Sequence, residues 1–139
     1  MRSKKFDNTY IVRINKGEEL VKALEDFCKE NNIKAGTIQG IGATNQITIG
    51  YFDTSKKEYF SKEFKGNFEM APLIGNITSM EGKTYLHLHV TFGDEDFNSH
   101  SGHLSKAMIS ATFEAVITKL DGEQERYYDD AIGLNLLKF

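Results

Sequence analysis

The chain has 139 residues, of which 40% are hydrophobic and 27% are charged, a composition typical of one globular domain with its own core. Its net charge of −3 argues against binding nucleic acid over the whole surface, because such binding needs a basic face. No apolar run is long enough to span a bilayer, and no secretory signal follows the basic start. We therefore expect a single cytoplasmic domain over residues 1–139, with no membrane contact and a loose segment at residues 1–6.

The first quarter of the chain predicts a strand followed by a helix. The run Tyr10–Ile14 is rich in residues that favour strands. Apolar residues then recur at helical spacing over Glu18–Glu30, and either Asn31 or Asn32 can end that helix. The single cysteine, Cys28, lies on the apolar stripe of the helix, so we expect a buried thiol without a disulfide partner.

The middle of the chain predicts β-structure interrupted by glycine and proline. Residues 33–53 contain two predicted strands, and Gly40-Ile41-Gly42 between them lacks the third glycine and the following helix of a phosphate-binding loop. Glycines in a strand more often mark a bulge or a close backbone approach. Residues 58–64 predict an edge strand with charged side chains, and Pro72 predicts an irregular segment before the next strand.

The remaining segments predict antiparallel strands. A tight turn at Glu81-Gly82 joins residues 73–80 to residues 83–92 in a hairpin. Residues 107–120 alternate apolar and polar side chains as a strand does. Residues 123–128 and the apolar segment 134–139 complete the arrangement. Together these elements predict an α+β fold, a mostly antiparallel sheet with helical structure on one side.

All four histidines lie between Tyr85 and Leu104. His87 and His89 alternate with apolar residues, so a strand directs both imidazoles to one face. After an acidic turn, His103 in a Gly-His-Leu turn can meet them, and three converging imidazoles are typical of a metal site, with zinc as the first expectation. His100 is the alternative third ligand, although its polar neighbours predict a mobile loop in which the ring is solvated.

Read together, these motifs resemble the plants and prokaryotes conserved (PPC) domain family, as a stand-alone prokaryotic member. The resemblance runs over nearly the whole chain and is carried by Gly17–Leu20, Gly40–Ala43, Gly66–Met70, His87–Val90 and Gly102–Leu104. It implies an antiparallel sheet with flanking helices, a homotrimer, and a metal site formed by His87, His89 and His103. The fold is also similar to that of α-acetolactate decarboxylase, a lyase with a three-histidine zinc site, and this likeness concerns the fold alone.

The resemblance bears on DNA binding in two ways. Plant relatives carry an AT-hook that contacts the minor groove and use the PPC domain for trimerisation and for partner proteins. This chain contains no Arg-Gly-Arg-Pro core of an AT-hook. Asn67 stands where the plant element Gly-Arg-Phe-Glu has arginine, which weakens the transfer of partner binding through that element. The implied function is a regulatory or DNA-binding module without an AT-hook.

Two classes of function follow from these residues. One is a trimeric module in which the metal ion is structural or regulatory. The other is a small zinc-dependent lyase or hydrolase, which needs an acid or base near the ion. Glu69 is the first candidate for that role because the family element contains it, and it could equally accept the outer N–H of a ligand histidine. The other candidates are Glu114, Asp94, Glu95 and Asp96.

Overall fold

The fold consists of eight strands and one helix, and the computed structural model describes all residues 1–139. The elements in chain order are β1 (Arg2–Phe6), β2 (Thr9–Asn15), α1 (Leu20–Glu30), β3 (Gly36–Asp53), β4 (Glu58–Met80), β5 (Lys83–Gly93), β6 (Ser99–Lys119), β7 (Arg126–Asp129) and β8 (Leu134–Leu137). The predicted α+β class is confirmed, with one helix where several were expected.

Six strands form one sheet in the order β1-β2-β6-β3-β4-β5, and every neighbouring pair is antiparallel. β5 also pairs with β6, so β3, β4, β5 and β6 close into a ring. β7 and β8 form a separate two-stranded hairpin, and Ser79 of β4 bridges to Glu125 just before β7. Ring closure places the end of β5 against the start of β6, where the histidines lie.

The helix α1 packs an apolar stripe against the sheet. Its buried residues are Leu20, Leu24, Phe27 and Cys28. α1 begins two residues later than predicted because the Glu19 side chain caps it, accepting hydrogen bonds from the N–H groups of the first turn. The prediction of a buried Cys28 is confirmed at 1% exposure, and this burial raises the pKa of the thiol to about 12. No helix of the structure has the length and hydrophobicity needed to cross a membrane.

Residues 1–6 were expected to form a loose segment, but the structure has a strand there. Arg2–Phe6 pairs with β2 in an unbroken antiparallel register, from Arg2 opposite Arg13 to Phe6 opposite Thr9. Asp7 adopts a left-handed conformation, with φ at 50°, which allows the tight turn between the two strands. The side chains of β1 are all exposed, so backbone pairing and not burial orders this segment.

Bulges explain why the breaks predicted in the middle of the chain do not occur. The two strands expected in residues 33–53 are one strand, β3, with a register shift between Gly40 and Gly42. The predicted close approach is also present, because a Cβ at Gly40 would lie 2.5 Å from the Phe113 ring. Pro72 does not interrupt β4, since it falls in the register shift between Met70 and Leu73, where the ladder with β5 is already broken. Residues 58–64 are the first part of β4, paired with β3.

Candidate metal centre

The structure brings the three predicted ligands together on the outer face of the ring. His87 and His89 project from β5 opposite the buried Leu88 and Val90, as the alternation predicts. His103 lies on β6 directly across from His89 in the antiparallel register. One ligand atom from each of the three histidines lies within 4.8 Å of the others. The nitrogens of a tetrahedral zinc site are about 3.3 Å apart, so small side-chain adjustments suffice to bind an ion.

His103 lies within a strand and not in the expected Gly-His-Leu turn. Its partner on β3 is Gly50, which leaves room for the Tyr59 ring to pack edge-on against the His103 ring at 5.6 Å. Gly102 is equally confined, because a Cβ there would lie 2.8 Å from the carbonyl oxygen of Gly50. The two glycines therefore allow β3 and β6 to approach closely at the histidine cluster.

The environment of the cluster favours the neutral form of His87 and His103. Burial, followed by the neighbouring His87 and His89, lowers the pKa of His103 to about 4. The pKa of His87 is also lowered, first by burial and then by the charge of Arg126 and by His89. A neutral imidazole is the form that binds metal, and no Asp, Glu or Cys joins the group. This donor set fits a divalent ion such as zinc and leaves a coordination position for water or a ligand.

His100 lies outside the cluster and is tied to a different part of the fold. Its Nε2 atom is 2.9 Å from a carboxylate oxygen of Asp94, and its ring packs against Phe64 and Phe92. The hydrogen bond with His100 is the main cause of the lowered pKa of Asp94. The predicted mobile loop around His100 is wrong, because the residue is part of β6 and pairs with Phe92.

None of the candidate carboxylates lines the histidine cavity. Glu69 is exposed and faces a separate surface pocket shared with Asn67 and Glu95, which are hydrogen-bonded to each other at 2.6 Å. Asp94 also lines that pocket and bonds to the backbone of its own loop, and Asp96 and Glu114 are exposed. A catalytic role for Glu69 stays a prediction that the protomer geometry does not itself support.

The three histidines open into a cavity of about 870 Å³. Most of its wall is aromatic or aliphatic: Tyr51, Phe52, Tyr59, Tyr85, Tyr128, Leu134, Leu136, Leu137 and Phe139. The polar lining comprises the histidines, two asparagines and one arginine, and it includes no Asp or Glu. Burial raises the pKa of the Tyr59 phenol, so its O–H stays a donor at neutral pH. β7 and β8 supply one side of this wall.

Arg126, the one cationic side chain in the cavity, is not among the residues predicted from the sequence. It is the first residue of β7 and is only 8% exposed. Its guanidinium stacks 4.9 Å from the centre of the Tyr85 ring. A signal was available, because an arginine beside two tyrosines in a predicted strand is an unusual place for a charge. Its position beside the histidines depends on tertiary structure.

Comparisons with known proteins agree with this geometry. A Bacteroides thetaiotaomicron structure, described as a candidate DNA-binding protein, is 41% identical with a TM-score of 0.97 and covers 99% of this chain and 96% of its own. A metal-containing protein from Archaeoglobus fulgidus is 33% identical with a TM-score of 0.87, and all of each chain is covered. The search of curated proteins found no match.

The predicted likeness to α-acetolactate decarboxylase is confirmed at the level of the fold. The Bacillus subtilis enzyme has a TM-score of 0.54 at 13% identity, covering 88% of this chain and 57% of its own. The model of the Plants and Prokaryotes Conserved domain matches residues 1–121, which include all three clustered histidines. This chain therefore belongs to the plants and prokaryotes conserved domain family.

Proposed function

We propose that His87, His89 and His103 bind one divalent metal ion, with zinc as the first expectation. The single observation that carries this proposal is the convergence of three imidazole donors within 4.8 Å on two paired strands. Strands hold such ligands rigidly, which favours binding over a chance cluster. The metal-containing description of the Archaeoglobus fulgidus relative supports the same assignment.

The proposed centre serves a small molecule, and an enzyme is favoured over a structural metal site. A structural ion is enclosed by protein ligands, whereas this cluster opens into a large, mostly apolar cavity. A bound zinc ion supplies Lewis acidity, which polarises a carbonyl group or acidifies a water molecule. Within the cavity, Tyr59 can donate a hydrogen bond and no carboxylate is available as a base. Of the two expected reaction classes, this lining favours a lyase over a hydrolase.

The metal assignment is tested by zinc analysis of a matched pair of variants. His103→Ala removes one of the three donors, and His100→Ala removes an imidazole from the same strand that lies outside the cluster. We expect wild-type protein and His100→Ala to retain about one zinc per chain, and His103→Ala to lose zinc during dialysis. Equal zinc content in the two variants would contradict the assignment.

The role of the ion is tested with His87→Ala. If the ion serves a ligand, this variant loses zinc while its solution mass and melting temperature stay close to those of zinc-loaded wild-type protein. If the ion is structural, the variant and the chelated wild-type protein both unfold well below the temperature at which zinc-loaded wild-type protein unfolds. Thermal scans with light scattering, run on the variant and on wild-type protein with and without zinc, separate the two results.

We also propose that the chain assembles as a homotrimer. Several apolar side chains on the strands are half exposed in the protomer, including Ile11 at 46%, Ile41 at 59% and Ile74 at 55%. Such residues are candidates for burial between subunits. Light scattering after size-exclusion chromatography measures the mass, and a protomer mass near 15.7 kDa would contradict the trimer.

A regulatory module that binds DNA is the second candidate, supported by the description of the Bacteroides thetaiotaomicron relative. The proposed setting for either function is the cytoplasm, where the buried Cys28 stays reduced. The net charge of −3 opposes a phosphate-driven interface. A gel shift with random duplex at increasing salt tests this candidate. We expect little or no shift, and a shift that weakens steeply with salt would favour the DNA-binding function.

A further inference from the structure

Arg126 carries a buried positive charge that no acidic side chain neutralises. Its three hydrogen bonds go to neutral acceptors: Nε donates to Thr78 Oγ1 at 2.9 Å, Nη1 to the Asn135 carbonyl at 2.8 Å, and Nη2 to Asn76 Oδ1 at 2.7 Å. None of the ion pairs in the structure includes Arg126. A guanidinium has five N–H donors, so one N–H on each terminal nitrogen remains free. A buried cation without a counter-charge is costly, which points to an anion that arrives with a ligand.

The free donors lie beside the histidine cluster. Asn76, which accepts a hydrogen bond from the guanidinium, is directly opposite His87 in the pairing of β4 and β5. Directly opposite residues have Cβ atoms about 5 Å apart. Tyr85, on which the guanidinium stacks, is two residues before His87 on the same strand face. The guanidinium and the imidazoles therefore line the same cavity about one side chain apart.

When a metal ion is bound, all the charge in the cavity is positive. The three imidazoles are neutral ligands, Arg126 is cationic, and no Asp or Glu lines the wall. The remaining lining is aromatic or aliphatic, including Tyr59, Leu134 and Leu136. The occupant that satisfies this lining has a carboxylate for the guanidinium, a second oxygen for the ion and an apolar remainder.

We propose that the cavity binds a small organic carboxylate, held by the free N–H donors of Arg126 while another oxygen of the same molecule reaches the metal ion. This inference rests on the proposed metal-dependent function and names its ligand class. Arg126 lies beyond residue 121, outside the part of the chain that the family model matches. In this proposal the C-terminal hairpin selects the ligand, and the sheet binds the metal ion.

The test measures the binding of phenyllactate and phenyllactamide to the zinc-loaded protein by calorimetry at pH 7. The two probes differ in one group, a charged carboxylate in place of a neutral carboxamide, and inorganic phosphate serves as a third probe. We expect phenyllactate to bind at least tenfold more tightly than the amide, because a charged bidentate contact is lost in the amide. Equal binding of the two, or tighter binding of phosphate, would overturn the assignment of an organic carboxylate.

Two variants show whether Arg126 is responsible. Arg126→Met removes the charge, and Asn76→Asp, nearly identical in shape to the wild type, places an internal carboxylate on the guanidinium. Both are expected to retain about one zinc and to lose the preference for phenyllactate over the amide, with at least a tenfold loss of phenyllactate affinity. If Arg126 only fastens the hairpin to β4, Asn76→Asp keeps the full preference, and that result overturns the inference.

Failure of the metal assignment is recognisable separately. If wild-type protein binds no zinc, the proposed function fails before any probe is added. If zinc binds normally but the two probes bind alike, the metal centre stands and the role of Arg126 is wrong. Circular dichroism spectra of Arg126→Met confirm that the variant is folded, and the isosteric Asn76→Asp gives the result if Arg126→Met does not fold.

Discussion

Gly75 on β4 lies opposite Leu88 on β5, the strand that carries His87 and His89. A Cβ added at Gly75 would lie 2.6 Å from Leu88 Cδ2 and closer still to the carbonyl oxygen of His87, against 3.4–4 Å for an ordinary contact. Leu88 is 1% exposed and cannot move aside, and the carbonyl belongs to the backbone. Gly75→Ala therefore has to separate β4 from β5 at the ligand pair.

Overpacking of this kind costs about 1–3 kcal/mol of the free energy of unfolding. For a domain of this length each kcal/mol lowers the melting temperature by about 3–5 °C. Zinc affinity should fall by about tenfold as well, because displaced strands no longer hold the donors in place. Gly93→Ala on the same strand pair is the control, since a Cβ there meets nothing within 4 Å. Calorimetric melting curves and zinc titrations measure both effects, and equal melting temperatures and zinc affinities for the two variants would refute the reasoning.

Two further predictions use the pKa values of buried groups. With a pKa of about 12 against 9.0 for a free thiol, Cys28 has about a thousandfold less thiolate at pH 8, so iodoacetamide should label it only on unfolding. A Cys28→Ala protein with Lys29→Cys on the exposed helix face should react at once, and equally fast labelling of native Cys28 would contradict the burial. In metal-free protein, His103 has a pKa of about 4 when folded and 6.5 when unfolded, so the unfolded chain binds the proton first. Its stabilising contribution is complete above pH 6.5 and is lost as the pH falls towards 4. With chelator present, we expect the urea midpoint to fall less between pH 7 and pH 5 for His103→Asn than for wild type. An equal or larger fall in the variant would show that this reasoning is wrong.

Local patterns predicted the grouping of the three histidines better than they predicted its surroundings. The alternation of His87 and His89 with apolar residues fixes their common face, and the chain between them and His103 is short enough to return. The direct pairing of His89 with His103 depends on ring closure between β5 and β6, which a local pattern does not encode. The expected turn at His103 was therefore wrong although the grouping of the three residues was right.

Breaks were overpredicted for one physical reason. Glycine and proline weaken a strand locally, yet a bulge lets the strand continue and its pairing resumes beyond the bulge. At Pro72 the ladder with β5 is interrupted while β4 continues as one strand. The contacts of Arg126 could not be predicted either, because its partners on β4 and β8 come together only in the folded chain.

The C-terminal hairpin is joined to the sheet through Ser79 and Arg126 at β4 and through the contacts of Arg126 and Asn135 with Tyr85 on β5. The hairpin lines the cavity, whereas the three imidazoles themselves lie on β5 and β6. A scaffold divided in this way allows selection to diversify the molecules it accepts while the inorganic part of the site stays constant. Exchange of residues 122–139 between homologues is accordingly a direct route to new specificity.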